Sequence, residues 1–190
     1  MHKKRILWNN KFTDKKDYVF EPNPFIKQNF HYFKENDLLD IACGYGKNSV
    51  FLAENKFKIT AVDISDKAIE IFRKQIITRK LKINIVQAEI NDFLNSLTNE
   101  IFHNILICRF KPDLNIINRV CDILINNGIF MLVSFNIKHN KLYPRFSPLK
   151  CYLNEKEFID SHQNLKILLY EEFQFNGGYY NGYIFQKIKA

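Results

Sequence analysis

Apolar residues along this chain fall alternately into short continuous runs and stripes at helical spacing, which predicts strands and helices in turn. Asp37 to Ala42 is an apolar run broken by one acid and followed by Cys43-Gly44-Tyr45-Gly46, so a strand feeds a glycine turn. Val50, Phe51, Leu52 and Ala53 then suit a helix over Lys47–Asn55, and Phe57–Val62 predicts a second strand ending at Asp63. Ser65 is a good N-cap for a helix over Ser65–Arg79, whose apolar face is Ala68, Ile69, Phe72 and Ile76. Ile83–Ala88 and Ile101–Cys108 predict a third and a fourth strand. Leu114, Ile117, Val120, Cys121 and Leu124 stripe the next helix, with Gly128 as its stop, and Ile129–Phe135 is a fifth strand.

Beyond Phe135 the pattern changes. Residues 136–150, rich in Asn, Lys and Pro, predict a long loop, and a short helix is expected from Asn154 to about Ser161. Strands over Leu165–Phe175 and Tyr179–Ile188 flank Asn176-Gly177-Gly178, a hairpin signal. Alternating strands and helices with near-continuous apolar strands mean a parallel sheet covered on both faces. The predicted fold is a doubly wound α/β sheet of about seven strands, mostly parallel, with an antiparallel C-terminal hairpin.

Composition narrows the class. A chain of 190 residues, 46% hydrophobic and 25% charged, suits one globular domain and not a disordered segment. No apolar run reaches the ~18–20 residues of a membrane span, and the basic start lacks the apolar stretch of a secretory signal. Cys43, Cys108, Cys121 and Cys151 are scattered without metal-ligand or disulfide spacing, which favours a reducing cytoplasm and predicts no metal site. The net charge of +8 is concentrated: residues 1–34 carry +5, residues 134–150 carry +4 and the rest −1. Such segments suit an anionic substrate or nucleic-acid phosphates, and equally suit lysines that merely solvate a surface.

The candidate chemistry lies in the glycine turn and the acid nineteen residues after Gly44, Asp63. Glycines at a strand-to-helix turn let a ligand approach the backbone, and an acid at the end of the second strand can accept from both hydroxyls of a ribose. The third glycine of the dinucleotide fingerprint is missing and no Gly-Lys-Ser/Thr occurs. Asp40 is awkward beside a pyrophosphate and sensible beside an ammonium. An adenosine with an amino-acid tail fits both acids.

Leu38-Leu39-Asp40-Ile41-Ala42-Cys43-Gly44-Tyr45-Gly46 resembles motif I of the class I S-adenosylmethionine (SAM)-dependent methyltransferases. Thr60-Ala61-Val62-Asp63-Ile64-Ser65 resembles their ribose-binding motif, and Val86-Gln87-Ala88-Glu89-Ile90 their adenine-contacting motif, where Asp is commoner than Glu. Trp8 with Tyr18-Val19-Phe20-Glu21-Pro22-Asn23-Pro24-Phe25 is similar to the opening of small bacterial members related to the tellurite-resistance and thiopurine methyltransferases. Tyr152-Leu153-Asn154-Glu155 resembles a late segment of that subgroup. The resemblance implies a Rossmann-like fold, SAM as cofactor and S-adenosylhomocysteine as product. It implies Gly44 and Gly46 beside the methionyl part, Asp40 near its ammonium and Asp63 on the ribose. Ile64 would pack on adenine, Ala88, Glu89 and Ile90 would read its edge, and Cys108 would line the cofactor near the methyl. The candidate catalytic residues are Tyr18 and Arg109. Cys108-Arg109-Phe110-Lys111 departs from the subgroup, which often carries a Ser and a nearby His there.

Each residue also has a plainer reading: Asp63 as a helix cap, Glu89 as a solvated acid, Cys108 as core, Arg109 as a surface pair, and the arm's aromatics as packing. One domain over 1–190 is expected, with an arm and candidate lid (1–34), a SAM-binding core (35–135) and a substrate-side loop and closing hairpin (136–190). No Asn/Asp-Pro-Pro-aromatic turn follows the fourth strand and no cysteine follows a proline, which disfavours base methylation. A sulfonium methyl is already electrophilic, so placement does most of the work, and the lack of an evident base favours a thiol or other soft acceptor on a small molecule. An RNA or protein methyltransferase and a non-catalytic SAM-binding domain are the alternatives.

Overall fold

The computed structural model describes residues 2–13, 20–34, 37–98, 101–143 and 152–189. Five strands, β1 (Asp37–Ile41), β2 (Lys58–Asp63), β3 (Ile83–Gln87), β4 (Phe102–Cys108) and β5 (Leu124–Phe135), run parallel. They are joined by β6 (Leu165–Phe175) and β7 (Gly178–Lys187) in one sheet of order β3-β2-β1-β4-β5-β7-β6. Strand β7 lies between β5 and β6, antiparallel to both. The hairpin turn has Asn176 and Gly177 at φ of 46° and 73°, the paired left-handed residues that match strand twist.

Strand alternation divides the core in two. Leu39, Ile41, Ile105, Ile107, Phe130 and Leu132 face α5 (Ile90–Asn95) and α6 (Leu114–Ile123). Leu38, Leu106, Met131 and Val133 face α2 (Pro24–Asn29), α3 (Lys47–Glu54) and α4 (Asp66–Thr78). The Pro22-Asn23-Pro24 bend is tied into that second layer. Asn23 caps α2 by accepting from Phe25 N–H at 3.0 Å, while its own N–H donates to Asn48 Oδ1 at 2.9 Å. The ring of Phe25 packs where a side chain at Gly182 of β7 would stand.

Three expectations need correction. Helix α6 ends at Ile123, not at Gly128: Leu124 is already extended and pairs with Phe102. The next pairing is Asn104 with Ile129, so 125–128 bulge out of the strand, with Asn127 at φ 64°. The stretch after Phe135 is not all loop, because Asn136 accepts from the N–H groups of Lys138 and His139 and starts α7 (Ile137–Leu142). The helix expected from Asn154 to Ser161 is a series of turns, broken by Lys156 in the left-handed region at φ 53°. The arm also contains a helix, α1 (His2–Thr13). No helix among the described residues is long and apolar enough to cross a membrane.

Gly46 begins α3 at φ 79°, and a β-carbon there would overlap the ring of Phe72 in α4. Gly46→Ala combines left-handed strain with overpacking, together about 2–5 kcal/mol. Thermal unfolding of this variant is expected at least ~5 °C below the parent. A pair of equal melting temperatures would refute this packing role.

Candidate functional site

The chain leaves β1 through a loop in which Ala42, Gly44 and Gly46 all take positive φ. The loop is held from β2: Cys43 N–H donates to Val62 C=O at 3.0 Å and Gly44 N–H donates to Asp63 Oδ2 at 2.8 Å. Asp63 Oδ1 accepts from Ser65 N–H, also at 2.8 Å. Burial raises the pKa of this carboxyl above the ordinary value, and the N–H groups of Ser65, Gly44 and Ile64 pull the other way. The hydrogen bonds from Gly44 and Ser65 take two of the roughly four acceptor directions of an ionised carboxylate, so Asp63 retains capacity for two hydroxyl donors.

Asp40 shares the strand face of Leu38 and meets α3. Ser49 Oγ donates to its Oδ2 at 2.6 Å, while Oδ1 has no hydrogen-bond partner among the described residues. The group is buried, which pushes its pKa up to about 7; the Ser49 bond lowers it and Asp63 raises it further. A cation seated on the loop is therefore attracted by two buried acids.

A cleft opens at the C-terminal ends of β1, β2 and β4, where open α/β sheets bind ligands. Gly44, Tyr45, Asp63, Ile64 and Ile90 line it, with Cys108, Arg109 and Phe110 from the end of β4. Helix α3 adds Lys47 and Asn48, and α1 covers the cleft with Trp8, Lys11 and Phe12. The Phe12 ring stands 3.4 Å from where a β-carbon of Gly44 would be. The helix is fastened by Asn9, which accepts from Ser65 Oγ at 2.8 Å and donates to Asp66 at 3.0 Å. Lys4 pairs with Glu89 at 3.1 Å.

The sequence-picked residues divide by this geometry. Gly44, Asp63, Ile64, Ile90, Cys108 and Arg109 line the cleft. Gly46 is turned toward Phe72, and Asp40 lies behind the loop. Ala88 N–H donates to Asp63 C=O at 3.1 Å. Glu89 caps α5 by accepting from Asn91 N–H; partial burial raises its pKa, but Lys4 and Asn91 outweigh this and hold it below the ordinary value. Tyr18 lies outside the described residues. Cys108 is buried, which pushes its thiol up. Lys11, Lys47, Asn48 and Phe110 had no motif to announce them; only their places beside the glycine turn, β4 and the aromatic arm did.

A family model described as a methyltransferase domain matches residues 38–128, from β1 to the bulge of β5. Over this stretch, 91 of the 190 residues, the chain is similar to a methyltransferase domain. Solved structures share the fold across nearly all of the chain. A SAM-dependent methyltransferase from Methanosarcina mazei is 22% identical with a TM-score of 0.69, covering 90% of this chain and 100% of its own. TehB from Haemophilus influenzae is 16% identical with a TM-score of 0.72, covering 95% and 67%. A protein solved in connection with conversion of a disulfide bond into a thioacetal group in echinomycin biosynthesis is 13% identical with a TM-score of 0.78, covering 97% and 91%. No curated protein matches the sequence. The seven-strand order and the antiparallel hairpin are thus those of the Rossmann-like SAM-dependent methyltransferases, as the motifs implied.

The raised pKa of Asp40 gives this domain a pH signature. An acid whose folded pKa exceeds its unfolded value binds more protons when folded, so its contribution is full below about 4 and falls away as the pH rises to about 7. Asp40→Asn removes that dependence. Denaturant unfolding of the ligand-free protein between pH 4 and about 8 is expected to lose stability more steeply in the parent than in the variant. Parallel curves would exclude a buried Asp40 with a raised pKa.

Proposed function

We propose that the protein transfers a methyl group from SAM to a soft nucleophile, such as a thiol, on a small molecule. The observation that carries this reading is the coupling of Asp63 to Gly44, which places a carboxylate with spare acceptor capacity beside a backbone face without a side chain. Asp63 would accept from the ribose hydroxyls, Ile64 and Ile90 would flank the adenine, and Asp40 with its unpartnered Oδ1 would attract the ammonium. SAM, when bound, supplies a sulfonium methyl and departs as S-adenosylhomocysteine with the electron pair of the broken C–S bond. The described cleft-lining residues include no histidine and no carboxylate besides Asp63, which is engaged with the loop. A thiol ionises without such a base far more readily than an amine or alcohol. The similarity to a fold at work on a disulfide in echinomycin biosynthesis agrees with a sulfur acceptor. Free Cys43, Cys108 and Cys121 agree with a cytoplasmic setting.

The chain is read as one functional unit: the arm 1–34 covers the cleft, 35–135 holds SAM, and 136–190 closes the acceptor side. A ligand against Gly44 meets the Phe12 ring, so α1 has to yield as the cofactor enters.

Asp63→Ala removes two charge-assisted hydrogen bonds worth ~1.5–3 kcal/mol each, and SAM affinity by calorimetry is expected to fall well over tenfold. Unchanged affinity in a folded variant would sink the assignment. Asn9→Ala unfastens α1 from Ser65 and Asp66 and is expected to speed dissociation of S-adenosylhomocysteine about fivefold or more in stopped flow, the yield of ~1 kcal/mol. An unaltered off-rate would mean that α1 does not guard the cleft.

A further inference from the structure

Resting on the methyltransferase reading, we infer that the methyl acceptor is a small organic anion with a flat apolar body, its oxyanion received by Arg109. The charges of the cleft lead there first. Among the described lining residues stand three cations, Lys11, Lys47 and Arg109, against one acid, Asp63. SAM adds a sulfonium, an ammonium and a carboxylate, a net cation. One lining cation suffices for that carboxylate, and Arg109, which no carboxylate among the described residues pairs, keeps its positive charge beside the reacting sulfur. A cationic acceptor would be placed in like charge and a neutral one would gain no Coulombic attraction, whereas an anionic one is drawn in and held.

Arg109 is the cation built for the acceptor end. It follows β4 directly, with its N–H bonded to Val133 C=O at 2.8 Å and its φ at 60°. A non-glycine residue held in the left-handed region at the end of a central strand is a costly arrangement of the kind that gathers at functional sites. The guanidinium lies 4.8 Å over the Phe135 ring, which itself stacks with His139 at 4.2 Å and Tyr180 at 4.7 Å. This aromatic shelf orients the planar fork without neutralising it. No carboxylate among the described residues pairs with Arg109, although Lys111, two residues on, is paired with Glu157 at 2.6 Å. A guanidinium fork matches a carboxylate or phosphate in two parallel hydrogen bonds. Phe110 and Trp8, also in the cleft wall, suit an apolar and planar remainder.

The test uses the full chain saturated with S-adenosylhomocysteine, whose own binding is measured first. Benzoate, phenyl phosphate and 4-mercaptobenzoate are then titrated beside the neutral benzamide. The anions are expected to bind at least about tenfold more tightly than benzamide. Comparing benzoate with phenyl phosphate tells which headgroup the fork prefers. Arg109→Gln is expected to abolish the preference while S-adenosylhomocysteine still binds within about twofold of the parent, and Arg109→Lys to retain part of it. If benzamide binds as tightly as the anions, or if Arg109→Gln keeps the preference, the acceptor inference falls and the methyltransferase reading stands. Failure of S-adenosylhomocysteine itself to bind overturns both.

Discussion

One buried carboxylate organises this molecule. Asp63 ends β2 and receives Gly44 N–H from the loop after β1 on one oxygen and Ser65 N–H on the other. Through the first bond the glycine loop is fixed at the sheet's edge. Through the second, Ser65 is set to cap α4, where its Oγ accepts from Ala68 N–H at 3.2 Å. The same hydroxyl donates to Asn9, which holds α1 across the cleft. A chain of three hydrogen bonds thus runs from the floor of the site to its cover. The two bonds that end on the Asp63 carboxylate are charge-assisted and the strong ones, and the one from Ser65 Oγ to Asn9 is a neutral bond.

Burying Asp63 and Asp40 close together is unfavourable, since Asp63 raises the pKa of Asp40 and both lose hydration. Asp40 has only Ser49 to offset that, which leaves its carboxyl about half ionised near pH 7. The cations of the cleft do not repair this: they stand on α1, α3 and the end of β4, while Asp40 lies beneath the loop. The result is a polarised site, negative under the glycine turn and positive across its opening. A ligand with a cationic tail on one side and an anionic partner on the other satisfies both halves.

Much of the fold was legible because its signals are local. Strands β1 to β4 and β6, with α3 and α4, are short elements whose pattern and caps lie within a few neighbours, and they stand where the runs place them. The errors arose where long-range pairing overrode local chemistry. Gly128 looks like a helix stop, yet the chain turns into the sheet at Leu124 because Phe102 offers it a partner. Asn136 looks like loop material, yet its side chain caps α7 and also donates to Asn181 of β7 at 2.9 Å. Composition cannot announce a cap whose other contact lies forty-five residues away.

The same distinction separates the two halves of the site. The cofactor half is drawn from one βαβ unit, 40–64, so its glycines and acids occur in a compact, recognisable order. Even there, sequence alone could not divide the roles: Gly44 presents a bare face toward α1 and the cleft, whereas Gly46 is bare to admit Phe72. The proposed acceptor half is assembled from β4, β5, α7 and β7, and the insertion of β7 beside β5 brings Tyr180 against Phe135. Its shape therefore depends on sheet order, which short motifs do not encode. A fold of this kind can keep its grip on one cosubstrate while the wall around Arg109 changes residue by residue, since the hydrogen bonds from Gly44 and Ser65 to Asp63 are made within β1, β2 and their loops.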